Sequence, residues 1–431
     1  METSKEKLEQ GDALEKNKQW QEAYELYQEL LAENPRSYDL LAKSAWCLSR
    51  LGKYDQAREV YEKLTQYQQQ IARWPYMTGY QYYCQSLWKE ACEWFERALD
   101  VFPRYLIVKY RLAYALTQLS GRQKQRQSEH IPLAMEHLRD CIQLYQELNE
   151  IDQQKQSGLL ADVYFQLGKL ESLQENWSEA EKLFNNALEL RPGDINVLYQ
   201  LSKAFVQDQR YEEALKILPQ RFAREYYVNE LRAEIYHKMG DLGKAHRVYR
   251  ECLKRRARDY LYRNLAELEL EENQFEEAYI AIKQALKLQS DNHKTLYTQA
   301  LLFEKLGFFE KAKHSLNEAI EAKKKNFQSG YREAEIKLKE ISQLEPDPQE
   351  NDKWQEFIDK IEPPVKIGVV TSYHYTRGFG FIESDGMRYF FHISQLPKRD
   401  HMLIKDSTKV RFKAVKTEKG PSAIDVHIIF E

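Results

Sequence analysis

Four residues near the C-terminal end carry the most specific chemistry in the sequence: Phe379, Phe381, Phe390 and His392. They lie in Arg377-Gly378-Phe379-Gly380-Phe381-Ile382 and in Tyr389-Phe390-Phe391-His392-Ile393-Ser394, and within each stretch the two rings are spaced by two. Residues two apart on a strand share a face. If the two stretches are paired strands, the four rings form one plate. Nucleic-acid bases stack on such a plate for ~1–3 kcal/mol each, with little preference among them. Arg377 and Lys419 can neutralise phosphates beside it, and Tyr373 is a further candidate ring. Ile382, Tyr389 and Phe391 have the opposite parity and are expected in a core.

The elements that must hold these residues follow from the surrounding pattern. From Val365 to Phe430, apolar residues alternate in short runs broken by Gly, Asp and Pro. Five strands are predicted, at 365–373, 378–384, 387–393, 409–416 and 422–430. Five strands in so short a segment suit a small closed barrel. The segment has a net charge of +5, whereas the rest of the chain has −8, an electrostatic asymmetry expected of a nucleic-acid contact.

Together with Gly368 and Lys419-Gly420-Pro421-Ser422-Ala423, the two aromatic stretches resemble the cold-shock domain, an OB-fold barrel. The resemblance covers 365–430 and implies binding of single-stranded RNA or DNA. It departs at Thr371-Ser372-Tyr373, where the family usually has Lys-Trp-Phe, and at Ile393, where the family often has Phe. Fewer stacking platforms imply weaker binding by the barrel alone, with Tyr373 and Tyr375 as partial replacements.

The rest of the chain repeats. Three early segments superpose at a spacing of 34: Gly11, Ala45, Gly79; Trp20, Tyr54, Trp88; Ala23, Ala57, Ala91; Tyr27, Tyr61, Phe95. The same order returns at Gly168, Trp177, Ala180 and Phe184, and the middle alanine recurs at Ala214, Ala245, Ala278 and Ala312. Ala134 fills the gap, in a unit carrying the polar insertion Ser120–Ser128. This resembles the tetratricopeptide repeat, in which a small residue lets two helices approach and an aromatic and an alanine pack the second on the first. About nine units are expected across 4–326, with a capping helix at 327–344 that carries Tyr331, Ala334, Ile336, Leu338 and Ile341. Leu218-Pro219 predicts a shortened helix after Ala214. Residues 345–364 are expected as a linker with a short helix around Trp354 and Phe357. The fold class expected is mainly α: a superhelical solenoid followed by a five-stranded β-barrel.

In the repeat family the first helix of each unit lines a concave groove. That places Tyr76, Tyr80, Tyr83, Phe165, Tyr199 and Tyr297 there, as rigid anchors for a protein partner or a second copy. The family's Lys/Asn clamp for chaperone carboxyl termini has no counterpart. Basic runs at Lys254–Arg258 and Lys323–Lys325 read as solvated helix ends.

Other chemistry is excluded on motif grounds. No phosphate loop, H-E-x-x-H or G-x-S-x-G is present, and the five cysteines form no C-x-x-C pair. His130 and His137 have no companion ligands, so no metal, cofactor or small-molecule substrate is expected. Without an apolar leader or an 18-residue apolar run, a cytoplasmic protein with no membrane contact is expected. The function predicted is a non-enzymatic adaptor joining single-stranded RNA or DNA to a protein partner. The alternative is a regulatory subunit of a stress or defence assembly, its barrel turned to protein docking.

Overall fold

The computed structural model describes residues 4–122, 127–218, 225–345, 347–417 and 420–429. The chain divides into two compact units, residues 1–223 and 224–431.

The first unit consists of antiparallel helix pairs: α1 (Ser4–Lys16) with α2 (Trp20–Glu33), α3 (Tyr38–Arg50) with α4 (Tyr54–Tyr67), α5 (Arg73–Cys84) with α6 (Trp88–Val101), α7 (Leu106–Arg122) with α8 (Gln127–Gln146), α9 (Glu150–Leu173) with α10 (Trp177–Leu190), and α11 (Ile195–Gln207) with α12 (Tyr211–Lys216). The pairs α1/α2, α5/α6 and α9/α10 show the contact the repeat pattern implies. A Cβ added to Gly11 would sit 2.6 Å from the Tyr27 ring, and one on Gly79 would sit 2.8 Å from the Phe95 ring. Only a small residue on the first helix admits the aromatic of the second. All nine middle alanines, from Ala23 to Ala312, are fully buried.

The turns repeat as strictly as the core. Lys18, Gly52, Ser86, Glu175, Gln209, Gly240, Asn273 and Gly307 each take φ between +57° and +78°, one per hairpin. The left-handed residue reverses the chain at the same place in each unit, and Gly suits it because a Cβ there is strained. Residues 123–126, between α7 and α8, lie outside the described residues. The shortened helix expected after Ala214 is α12, with six residues; Pro219 itself lies outside the described residues.

The second unit continues with α13 (Tyr226–Lys238) and α14 (Leu242–Arg255), α15 (Asp259–Glu271) and α16 (Phe275–Leu288), and α17 (His293–Lys305) and α18 (Phe309–Phe327), then α19 (Arg332–Ser342) and α20 (Glu350–Ile361). Helix α19 buries Tyr331, Ala334 and Ile341 on the last pair but leaves Ile336 49% exposed. The stretch expected as a linker contains α20, which packs on α16 through α18. Phe357 is buried, and Trp354 packs edge-on against Phe303 and Phe308. The buried Glu350 carboxylate accepts the N–H groups of Glu310 and Lys311, both at 3.2 Å, and so caps α18. Lys283 pairs with Glu362 at the other end of α20. The alternation of Trp354, Phe357, Ile358 and Ile361 is the apolar stripe that docks this helix.

Five strands close the barrel in the order β1-β2-β3-β5-β4: β1 (Val365–His374), β2 (Phe379–Ser384), β3 (Met387–His392), β4 (Lys409–Thr417) and β5 (Gly420–Ile428). Val370, Ile382, Tyr389, Phe391, Val410, Phe412 and Val426 fill its interior. Strands β3 and β5 are parallel and meet at a single pair, Phe390 with Ser422. No helix among the described residues is long and apolar enough to cross a membrane.

Candidate nucleic-acid interface

The antiparallel register of β2 and β3 sets Phe379 opposite His392 and Phe381 opposite Phe390. The four rings therefore share the outer face of two adjacent strands. Phe390 is 40% exposed, and its ring centroid lies 5.8 Å from those of both Phe379 and Phe381. Ile382, Tyr389 and Phe391 occupy the alternate positions and are buried, at 0%, 5% and 0% exposure. Strand parity decides both faces.

Glycine keeps the plate close to the core. A Cβ on Gly380 would lie 2.6 Å from the Ser372 carbonyl and 2.7 Å from the Phe391 ring. Any larger residue would push β2 away from β1. Gly378 has φ +64° and turns the chain into β2 just before Phe379.

The imidazole of His392 is oriented by its neighbour. The Ser394 N–H donates to Nδ1 at 3.2 Å, and the Ser394 hydroxyl lies 2.9 Å from the same nitrogen. With Nδ1 accepting, the neutral ring carries its proton on Nε2, which is a donor for a base edge. Beside it, a cleft of about 490 Å³ opens at the β3–β5 seam, lined by Phe390, His392, Gln395, Thr417, Ser422 and Ile424. Its amide and hydroxyls can hydrogen-bond a base whose face rests on the rings.

Two members of this face were not singled out in the sequence. Arg388 lies with its guanidinium 4.4 Å above the Phe381 ring, and His374, paired with Phe379, has its ring 4.9 Å away. Arg388 was legible, because it has the same parity on β3 as Phe390 and His392. His374 was not, since only the β1–β2 register brings it there.

Tyr373 corrects the expectation for β1. It is 9% exposed, stacks on Phe391 at 5.9 Å and belongs to the barrel core. The register shifts between Val370 and Ser372, so the inward positions run Gly368, Val370 and then Tyr373. This bulge reverses the parity of everything after it. It also turns Ser372 outward, opposite Phe381, where a ring is missing from the plate. Tyr375, 68% exposed and edge-on to Tyr373 at 4.8 Å, is the ring that reaches solvent. Arg377 is exposed in the turn before β2. Lys419 lies outside the described residues.

On β4, Lys409 and Arg411 are exposed, while Lys413 is paired with Asp425 at 2.8 Å and Lys366 of β1 with Asp385 at 2.9 Å. The barrel thus carries exposed cations on β4 beside others neutralised by carboxylates.

The groove residues separate into groups. Tyr76, Tyr80 and Tyr83 come together on α5, with Tyr80 stacked on Tyr76 at 6.4 Å and on Tyr83 at 6.2 Å. Phe165 on α9 and Tyr199 on α11 are half-buried, each with a lysine from its own helix nearby, Lys169 at 5.6 Å and Lys203 at 5.8 Å. Tyr297 packs against Tyr331 at 5.5 Å, so it supports the junction with α19. Among the described residues no three His, Cys, Asp or Glu side chains gather as a metal site.

Comparison with known proteins agrees with this division. Models of the tetratricopeptide repeat match residues 14–75, 173–235, 226–259 and 293–326. The 'Cold-shock' DNA-binding domain model matches residues 366–429. No curated protein matches the chain. Among solved structures, YrrB, described as a tetratricopeptide-repeat protein with an unusual peptide-binding site, is 23% identical over 46% of this chain and 92% of its own, with a TM-score of 0.36. MamA from Desulfovibrio magneticus is 16% identical over 44% and 97%, with a TM-score of 0.36. Yeast Tom70 is 15% identical over 82% and 99%, with a TM-score of 0.38. The hairpins at 14–75, 173–259 and 293–326 are matched as tetratricopeptide repeats, and the barrel that follows the helices is matched as a cold-shock domain.

Proposed function

We propose that the protein is a non-enzymatic adaptor, with the barrel holding single-stranded RNA or DNA and the helical hairpins holding a protein partner. The observation that carries this reading is the plate of Phe379, Phe381, Phe390 and His392, with an open cleft beside it. Stacking on such rings is sequence-tolerant, and it needs unpaired bases. The plate lacks a ring at Ser372, so the barrel alone binds weakly. A partner in the groove supplies the remainder by raising the local concentration of strand. The domains proposed are the repeats at 4–326, the cap at 327–344, the α20 segment at 345–364 and the barrel at 365–430. All five cysteines are free, four of them buried, in keeping with a reducing, cytoplasmic setting.

The test is fluorescence anisotropy of the full chain with labelled oligouridylate, oligothymidylate and a duplex, at two salt concentrations. Single strands are expected to bind, more weakly at higher salt, and to be lost in the Phe379→Ala/Phe390→Ala variant. Binding indifferent to that variant would overturn the reading. A second reading is favoured by Ser372 and Ile393, which stand where stacking rings are usual: the barrel docks protein instead. Its mark is capture of a partner that survives nuclease treatment and is lost on changing the same rings.

A further inference from the structure

The strongest unassigned feature is on α5 and α7 of the first unit. The Arg111 guanidinium lies 4.1 Å from the Tyr80 ring centroid, 5.4 Å from Tyr76 and 5.7 Å from Tyr83. Its Nη1 is buried and makes no hydrogen bond, and among the described residues no carboxylate pairs with Arg111. One N–H group of a half-buried guanidinium is thus left without an acceptor, an unfavourable arrangement, although the Tyr80 side chain hydrogen-bonds to Arg111. The rings offset part of that through cation–π attraction, but a ring face does not satisfy an N–H.

The charge pattern around it is one-sided. The chain has 67 acidic residues, yet α5 (RWPYMTGYQYYC), α7 (LIVKYRLAYALTQLSGR) and α11 (INVLYQLSKAFVQ) have none. Acidic residues stand on the second helices α4, α6 and α10, and on the first helices α3, with Asp39, and α9, where Asp162 pairs with Arg191 and Glu171 with Arg139. Arg50 continues the same surface, 5.6 Å from the Trp46 ring, which in turn lies 6.4 Å from Tyr80. On α9, burial and neighbouring Lys203 hold the Lys169 amine below its usual range, a second cation without an anion.

We propose that this first-helix surface seats an acidic peptide segment of a partner protein, with one carboxylate at Arg111 and its apolar side chains on Tyr76, Tyr80 and Tyr83. The inference rests on the protein-binding reading of the hairpins and supplies the chemistry of the partner. A nucleic-acid strand fits less well. Tyr76, Tyr80 and Tyr83 are each half-covered by adjacent helices, and the Arg111 guanidinium already lies 4.1 Å from the Tyr80 centroid, where a base would have to rest.

The experiment is selection of a random peptide library displayed on phage against the full-length chain, followed by anisotropy of the best peptides. Acidic sequences are expected. Their affinity should fall about tenfold or more on Arg111→Gln, as a hydrogen-bonded charge pair implies. It should fall similarly when the peptide's own Asp or Glu becomes Asn or Gln, an arm that leaves the protein intact. Arg97→Gln, an exposed arginine on the second helix α6, should change nothing. Selected peptides without an acidic position, or equal binding to Arg111→Gln, would overturn the inference and leave the protein-binding reading standing. No selectable peptide would overturn that reading as well. Oligouridylate binding lost in Arg111→Gln but kept in the barrel variant would make the surface a nucleic-acid seat and end the proposal.

Discussion

The chain builds two aromatic surfaces by opposite means. On the barrel, strand alternation puts Phe379, Phe381, Phe390 and His392 outward while their neighbours fill the core, so each ring is held at its root and open at its face. On the first unit, helix periodicity puts Tyr76, Tyr80 and Tyr83 on one side, but adjacent helices lean on them. They are half-buried, and burial pushes the Tyr76 and Tyr83 phenols up to about 12. Charges follow the same division. The barrel's Arg388, Lys409 and Arg411 are exposed, whereas the hairpins hold Arg111 against three tyrosine rings with Nη1 unsatisfied and bury Glu269 at 2% exposure. Rings held open can take a base on their faces; rings half-covered by adjacent helices keep only part of their surface for a partner.

The sharpest way to break this contrast is to remove rings from each side. Phe95→Ala, at a fully buried position, should cost about 3–5 kcal/mol of unfolding free energy by denaturant melts. Phe379→Ala/Phe390→Ala should leave the melts within about 1 kcal/mol yet weaken single-strand binding about a hundredfold, two stacks at ~1–3 kcal/mol each. If the barrel pair costs stability instead, the plate is core and the distinction fails.

Buried charge gives the next effect. The Glu269 carboxyl is pushed up to about 7, chiefly by burial and against the pull of Arg250, with Glu277 and Glu272 adding repulsion. The folded value lies above the unfolded one, so the native state binds an extra proton between about pH 4.5 and 7. This contribution to stability is therefore full at low pH and is lost as pH rises through 7. Glu269→Gln should remove the decline and be about 2 kcal/mol more stable than the parent at pH 8. His246, which faces Glu269 from α14, is held below its usual range by burial and Arg250. Its stabilising effect is lost as pH falls, the opposite sense, and it remains in both proteins. A parallel pH dependence of the two melts would show that Glu269 is not the source.

Adding a ring sharpens the comparison from the other side. Ser372→Trp, outward and opposite Phe381, should strengthen oligouridylate binding about tenfold, one stack of ~1–3 kcal/mol. No gain would mean that the strand does not cross β1. The smallest effect belongs to the turns. Gln209 takes φ +61° where three other hairpins have Gly. Gln209→Gly should stabilise by about 0.5–1 kcal/mol, and a loss would mean that its side chain matters more than its backbone.

Much of this molecule follows from residue order. The repeat pattern places every middle alanine in a buried position and every described hairpin turn in the left-handed region, because each repeat meets only its neighbours and the local pattern is the tertiary contact. Period-two alternation likewise determines which faces of β2 and β3 turn inward. Tertiary structure decided what depends on register and crowding. The bulge between Val370 and Ser372 sent Tyr373 to the core, and the β1–β2 pairing brought His374 to the plate. The docking of α20 made a helix cap of Glu350 inside a presumed linker. The packing of α7 on α5 gathered Arg111 with tyrosines some thirty residues earlier. A periodic pattern states which side of an element is apolar. Only the packed chain determines which elements meet there and which polar groups are left without partners.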